Sequence, residues 1–334
     1  MFLARARGLR KLQSTFTWLN DRHFDAFVAR KLSEIRQTIT LFQGASGQCL
    51  DSLRVARTKG AKTVVDAVNP HIDLFVARQR EEGAFFGMRP ITHPRMHRRI
   101  RQEYEAADLI RVMSGPSKQS FLERGFAPDR VAVATPPVDY QVGPPTKLDR
   151  VFRVGYAGLL EPRKGFRYLI EAFNLLDREN SELVIWGAPG ARAVDRFITQ
   201  AMNRNPKIHL KADEVTRHSI AEIGYERVYG DCSVVVLPSL AEGFGYVVTE
   251  AMASGVPVIV TDEVGAADVV VNGENGFIIP PRDATTLAQR LAQLADNPKT
   301  ASQMGAAARA TVSRLSVTAF RDQYVTRLRE LLAC

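Results

Sequence analysis

The sequence predicts an α/β protein of two domains, each a parallel sheet covered by helices. Three observations carry this. Short apolar, β-branched runs alternate with amphipathic stretches along most of the chain. One segment, Thr135–Arg150, breaks the alternation with Pro136, Pro137, Pro144 and Pro145; neither a helix nor an inner strand accommodates such a run. The 334 residues, 45% of them hydrophobic, suffice for two cores of ordinary size and argue against global disorder.

Taken in order, residues 1–38 read as a helix with Phe24, Phe27, Val28, Leu32 and Ile35 on one face and Arg and Lys on the other. A strand at Ile39–Phe42 ends at Gly44, and a helix over Gln48–Lys59 is stopped by Gly60. Strand Lys62–Val68 runs into Asn69-Pro70-His71, and a helix follows over His71–Glu82. Gly83–Pro94 reads as irregular, with two glycines and two prolines. Helix Arg95–Ala107, strand Leu109–Val112, helix Ser117–Arg124 and strand Val131–Ala134 complete the first half.

Beyond the proline segment the alternation is cleaner. Strands are predicted at Phe152–Tyr156, Leu183–Trp186, Ile208–Leu210, Ser233–Leu237, Val258–Val260 and Phe277–Ile279. Helices between and after them cover Gly165–Leu176, Ala193–Asn203, Ile220–Tyr229, Tyr246–Ala253, Ala266–Val271, Ala284–Ala295 and Lys299–Leu332. No internal repeat or low-complexity tract is present.

Charge is unevenly placed. Residues 1–150 hold 25 Lys/Arg against 15 Asp/Glu, whereas residues 151–334 hold 20 against 21, so the net +9 belongs to the first half. A basic half attracts nucleic acid, an anionic membrane surface or an anionic substrate, with a merely solvated surface as the plain alternative. Its basic residues are scattered and no recognition motif accompanies them, so nucleic acid is not expected. Cys49, Cys232 and Cys334 are too far apart for a zinc motif, and they predict reduced thiols in a cytoplasmic setting. The start, MFLARARGLRKLQ, lacks the apolar core of a signal peptide, and no run reaches the roughly 18 apolar residues of a spanning helix.

The chemistry concentrates in Leu237–Gly255, LPSLAEGFGYVVTEAMASG. Glu242 and Glu250 stand eight positions apart around the loop Gly243-Phe244-Gly245, which opens a helix at Tyr246. A strand, a glycine turn and a helix start make an anion site, because the first helical N–H groups lack partners. Carboxylates repel phosphate, so the two acids are expected to grip hydroxyls. A ligand with both phosphates and hydroxyls is a nucleotide sugar. A second glycine loop, Gly158 to Gly165, carries Arg163 and Lys164 next to another helix start, where cations and the helix dipole together suit a diphosphate.

These motifs resemble the family-4 retaining glycosyltransferases (glycosyl transferases group 1), enzymes of GT-B fold with two Rossmann-like domains facing across a cleft. The likeness is strong over Val151–Leu332 and weaker over Leu41–Val138. It rests on PSLAEGFGYVVTEAMASGVPVIVTD, on Lys164-Gly165, and on NGENGFIIPPRD with Asn272, Gly273, Gly276 and Asp283. The resemblance implies residues 1–140 as an acceptor-side domain, 141–150 as linker, 151–314 as the donor domain and 315–334 as a helix packing back toward the first domain. It implies that Glu250 holds the donor ribose and Glu242 the donor sugar. Gly158 and the backbone at Gly243, Phe244, Gly245 and Tyr246 would line the diphosphate, and Arg163 and Lys164 would neutralise the leaving group. His71 in DAVNPHIDLF matches a histidine that faces the reacting sugar. No metal and no cofactor beyond the donor are implied, and the chain contains no D-x-D pair.

Three departures stand against the family pattern. Leu159 occupies a place usually held by Arg. Pro136-Pro137-Val138-Asp139 replaces the usual Asn-Gly-Val-Asp. The chain opens inside a helix where members open on a strand and glycine loop, so the expectation is either a mis-set start or a first domain that lacks part of its acceptor side. The expectation is transfer from a nucleotide-diphosphate sugar to a saccharide or lipid-linked acceptor in cell-surface polysaccharide synthesis, with peripheral contact to an anionic membrane. A nucleotide-sugar epimerase of the same fold and a donor- or partner-binding remnant are the alternatives.

Overall fold

The computed structural model describes residues 7–139 and 150–333. Most of the expected linker, residues 141–149, lies outside the described residues, as does Cys334. The chain divides into two compact units: residues up to Pro136 together with those from Thr318 onward, and Pro137–Val317.

The first unit holds strands β1 (Leu41–Ala45), β2 (Lys62–Ala67), β3 (Leu109–Val112) and β4 (Val131–Val133), paired in parallel in that order. Its helices are α1 (Arg7–Glu34), α2 (Leu50–Thr58), α3 (Ile72–Phe85), α4 (Pro94–Ala106) and α5 (Gly115–Leu122). The two-residue period of a strand sends neighbouring side chains to opposite faces. Val65, Ile110 and Val131 therefore join one cluster with Leu53, Tyr104 and Phe121. Val64, Leu109 and Ala132 form another, covered by Leu328 and Leu331 of α14 (Val317–Ala333).

Polar groups fix α1 to this unit. The residue before α2 is Cys49, which makes no side-chain cap. Asp25 of α1, fully buried, supplies the missing acceptor to the N–H groups of Asp51 and Ser52 at 2.7 and 2.9 Å. Arg99 of α4 pairs with Asp25, and Glu103 accepts from the N–H groups of Gly47 and Cys49.

The second unit holds β5 (Phe152–Ala157), β6 (Ser181–Trp186), β7 (Ile208–Leu210), β8 (Val234–Leu237), β9 (Val258–Thr261) and β10 (Gly276–Ile279). They form one parallel sheet in the order β10-β9-β8-β5-β6-β7. Helices α6 (Phe166–Leu176), α7 (Arg192–Arg204), α8 (Ala212–Arg217), α9 (Ile220–Ile223), α10 (Tyr225–Tyr229), α11 (Tyr246–Ala253), α12 (Ala284–Asp296) and α13 (Pro298–Val312) connect and follow the strands. A close approach explains one glycine in β5: a Cβ on Gly155 would sit 2.6 Å from the Cys232 sulfur.

Four local expectations change. The single helix expected over Ile220–Tyr229 is α9 and α10, divided at Gly224, whose φ of 97° a continuous helix cannot hold. The helix expected at Ala266–Val271 is a 3₁₀ segment, Gly265–Val269. Lys299–Leu332 is two helices, α13 and α14, parted between Ser313 and Ser316. In the first unit, α3 runs through Gly83 to Phe85, into the stretch expected to be irregular.

Candidate active site

β5 and β8 are neighbours at the centre of the second sheet, yet the chain continues from β5 to β6 on one side and from β8 to β9 on the other. Such a reversal opens a crevice at the carboxyl ends of the strands, where ligands bind in parallel sheets. Both glycine loops leave from those ends.

The two loops touch through their backbones. A Cβ on Gly165, which has φ 70°, would fall 1.9 Å from the Pro238 carbonyl oxygen, so no side chain fits there. The Leu240 N–H donates to the Arg163 carbonyl at 2.8 Å. This seam brings Arg163, Lys164 and Glu242 together. Lys164 donates to the Glu242 carboxylate, and both side chains are largely buried, 15% and 14% exposed. Arg163 lies 3.6 Å from the same carboxylate, 3.0 Å from Glu161, and donates to the Ala241 carbonyl at 2.8 Å. Ser239 Oγ is 3.5 Å from Glu242 Oε2. The loop after β9 closes the set: the Glu242 N–H donates to the Glu263 carbonyl at 3.2 Å, the Gly265 N–H donates to the Glu242 carbonyl at 3.1 Å, and Thr261 donates to the Ser239 carbonyl.

Gly245, with φ 93°, turns the chain into α11; a Cβ there would meet Leu237 at 2.8 Å and Glu242 at 3.4 Å. No side chain caps this helix, and its first turn contains no acid. Its leading N–H groups therefore meet no side-chain acceptor, an arrangement that suits an anion. Phe244 is buried, while Tyr246 is half exposed and packs edge-on against it at 5.4 Å. Gly158 follows β5 with φ 140°, and its carbonyl lies so near Gly187 that a Cβ on the latter would be 2.4 Å away. Leu159 beside it is 50% exposed.

Glu250 lies one turn further along α11. Its Oε2 accepts from the Tyr229 hydroxyl at 2.6 Å. Burial pushes its pKa up, and the tyrosine hydrogen bond pulls the other way. Tyr229 itself is buried, and its ring stacks on Tyr225 at 6.4 Å with an interplanar angle of 11°. Sequence reading did not single out Tyr229 or Ser239. An aromatic at a helix end and a serine in a loop carry no signal until the fold brings them to the acids.

His71 belongs to the first unit. It is 3% exposed, precedes α3, and its Nδ1 accepts from the Asp73 N–H at 3.2 Å. Its own N–H donates to Ser120 Oγ at 2.8 Å, and Tyr104, Phe121 and Phe126 surround the ring. Burial lowers its pKa to about 4, which leaves the imidazole neutral near pH 7. Asp73 also takes His97 at 2.6 Å, a partner the sequence did not suggest. Among the described residues no group of three or more His, Cys, Asp and Glu side chains could hold a metal ion, and no helix is long and apolar enough to cross a membrane.

The chain matches the family model of glycosyl transferases group 1 over residues 145–311. It is 33% identical over 150 residues to the capsular polysaccharide biosynthesis glycosyltransferase CapM of Staphylococcus aureus, covering 44% of this chain and 37% of that protein. It is 30% identical over 237 residues to D-inositol 3-phosphate glycosyltransferase of Corynebacterium glutamicum, covering 61% of this chain and 53% of that one. The chain thus spans about half, or less, of the length of these curated relatives. Among solved structures, Anabaena HepE in complex with UDP and glucose superposes with a TM-score of 0.70 at 20% identity, over 91% of this chain and 81% of that one. S. aureus TarM, in a complex containing UDP, gives 0.68 at 17% identity, over 90% and 58%. These likenesses show the fold, that of the α/β GT-B glycosyltransferases. Since the family model covers the seam, both glycine loops and α11, the chain belongs to the glycosyl transferases group 1 family.

Proposed function

We propose that this chain is a retaining, metal-independent glycosyltransferase that moves a sugar from a nucleotide-diphosphate sugar to a saccharide or lipid-linked acceptor in polysaccharide synthesis. One observation carries the proposal: Arg163, Lys164 and Glu242 converge at the central strand reversal beside the uncapped start of α11. The uncapped N–H groups and the two cations suit a diphosphate, and the carboxylates suit hydroxyls. UDP in the HepE and TarM complexes supports a uridine diphosphate sugar as the first donor to try.

In this reading Glu250 accepts the ribose hydroxyls and Glu242 those of the transferred sugar. The backbone from Gly243 to Tyr246, with Gly158 opposite, lines the diphosphate. Lys164 and Arg163 neutralise the charge that develops as the bond from the anomeric carbon to the diphosphate breaks. The acceptor hydroxyl attacks the face that the diphosphate leaves, and a donor phosphate oxygen takes its proton. Configuration is thereby retained without a protein nucleophile. His71, neutral near pH 7, is suited to act as a hydrogen-bonding group and not as a proton carrier. The surplus of cations in residues 1–150 supports an anionic acceptor, peripheral contact with an anionic membrane, and work on the cytoplasmic side.

Incubation with UDP-sugars and a bacterial glycolipid and polysaccharide extract tests this, with the product anomer read by NMR. Transfer with retained configuration, unchanged by EDTA, is expected. An inverted product or loss of turnover with EDTA overturns the corresponding part. Nucleotide binding without transfer to any acceptor would favour a donor-binding protein instead.

A further inference from the structure

The Tyr229–Glu250 contact reaches beyond the donor site as described. We propose that Tyr229 is a positioning residue for donor recognition: its hydroxyl fixes one Glu250 oxygen and leaves the other as a directed acceptor for the ribose. The proposal rests on the assignment of Glu250 to the ribose.

The geometry supplies three reasons. Glu250 has three side-chain torsions, and a carboxylate tied at Oε2 by a 2.6 Å bond keeps only a narrow range of them. Less is then lost in ordering it when the nucleotide arrives. Tyr229 is itself held: it is 1% exposed, and its ring lies parallel to Tyr225. The short helix carrying both tyrosines, α10, lies between Gly224 and Gly230, shortly before β8. The strand that delivers the glycine loop is thus also reached through the residue that orients the acid.

Few other groups act on Glu250. The tyrosine helix brings Tyr229 and Tyr225, whose hydroxyl feels the Glu250 charge. β8 and β9 bring Val, Leu, Ile and Thr, α13 packs with Ala301, Met304, Gly305 and Ala308, and the 3₁₀ segment Gly265–Val269 brings Asp268. A neutral hydroxyl is therefore the direct polar partner of this carboxylate. Its hydrogen bond favours the ionised form, which is the form that accepts two ribose hydroxyls.

The test is titration calorimetry on the whole chain with UDP, GDP and ADP, carried forward with the tightest binder and its 2′,3′-dideoxy analogue. Tyr229→Phe keeps the ring and its stacking and removes only the hydroxyl. We expect it to weaken the nucleotide about 3- to 10-fold, to leave the dideoxy analogue nearly unchanged, and to shift the acid limb of binding to higher pH. In a Glu250→Ala background the same change should have no further effect. If Glu250→Ala binds the ribonucleotide like wild type, the ribose assignment falls and the proposal with it. If Glu250→Ala weakens it but Tyr229→Phe does not, or lowers both ligands equally, the positioning role alone falls. Absence of binding to all three nucleotides overturns both.

Discussion

Lys164 and Glu242, 78 residues apart in sequence, form an ion pair across the seam between the loops that follow β5 and β8. The pair holds the cation assigned to the leaving group against the acid assigned to the sugar. One substitution therefore perturbs both. Lys164→Ala should lower kcat by about 10²- to 10³-fold while donor affinity falls less, as for loss of a transition-state charge partner. Because Arg163 and Ser239 remain near Glu242, the fold should lose only about 1 to 2 kcal/mol. Steady-state kinetics and urea melts measure the two effects separately.

Donor affinity should fall on the acid side of neutrality at a higher pH than an ordinary glutamate would give. Burial raises the Glu250 pKa above 4.5, so on acidification it takes a proton early and loses its capacity to accept two hydroxyls. Nucleotide titrations over a series of falling pH values should show the weakening, and Glu250→Gln should abolish that pH dependence while binding more weakly throughout.

The first unit contains two buried groups with opposite linkage. Glu103 is pushed by burial from 4.5 up to about 7, so its contribution is full below 4.5 and is lost as pH rises through 7. His71 is lowered from 6.5 to about 4, so its contribution is full above 6.5 and is lost as pH falls through 4. The two shifts are of similar size, roughly 3 kcal/mol each, and largely cancel between pH 4 and 7. Glu103→Gln should unmask destabilisation by acid, and His71→Asn the reverse slope. Chemical denaturation at several pH values reads both. Parallel profiles for the two variants would contradict the assignment.

Two glycines separate lack of space from backbone strain. Gly165 has φ 70° and no room for a Cβ, whereas Gly224 has φ 97° and nothing within 4 Å. Gly224→Ala should cost about 1 to 2 kcal/mol from its φ alone. Gly165→Ala must also part the two loops, so it should cost well over 3 kcal/mol and depress nucleotide binding. Equal melting curves for the two variants would show that the loops are not locked together.

What could be read from sequence follows from the range of the interactions involved. β3, β7 and α11 lie at the predicted residues, Leu109–Val112, Ile208–Leu210 and Tyr246–Ala253, because a run of apolar residues or a glycine turn decides each locally. The break at Gly224 is not legible in the sequence because a lone glycine inside an amphipathic stretch is tolerated as often as not. The junction of α13 and α14 has no glycine or proline to mark it: Ser313-Arg314-Leu315-Ser316 continues the pattern on either side. At the site, the acids and cations announce themselves by charge and spacing. The Tyr229 hydroxyl and the Pro238 carbonyl do not, since each acquires its role from a partner far away in sequence. The backbone capping of α2 by Asp25 was hidden for the same reason.

The assignment of α14 to the first unit bears on how the protein is made. Val64, Leu109 and Ala132 leave the ribosome long before Leu328 and Leu331, the side chains that cover them. At ordinary rates of synthesis the interval is roughly ten to forty seconds. During that time the second unit, continuous from Pro137 to Val317, can fold by itself, while one face of the earlier sheet stays wet. Of the two units, the one whose sheet is translated earlier is thus completed last. A nascent chain stalled before α14 is the form most exposed to chaperones and proteases.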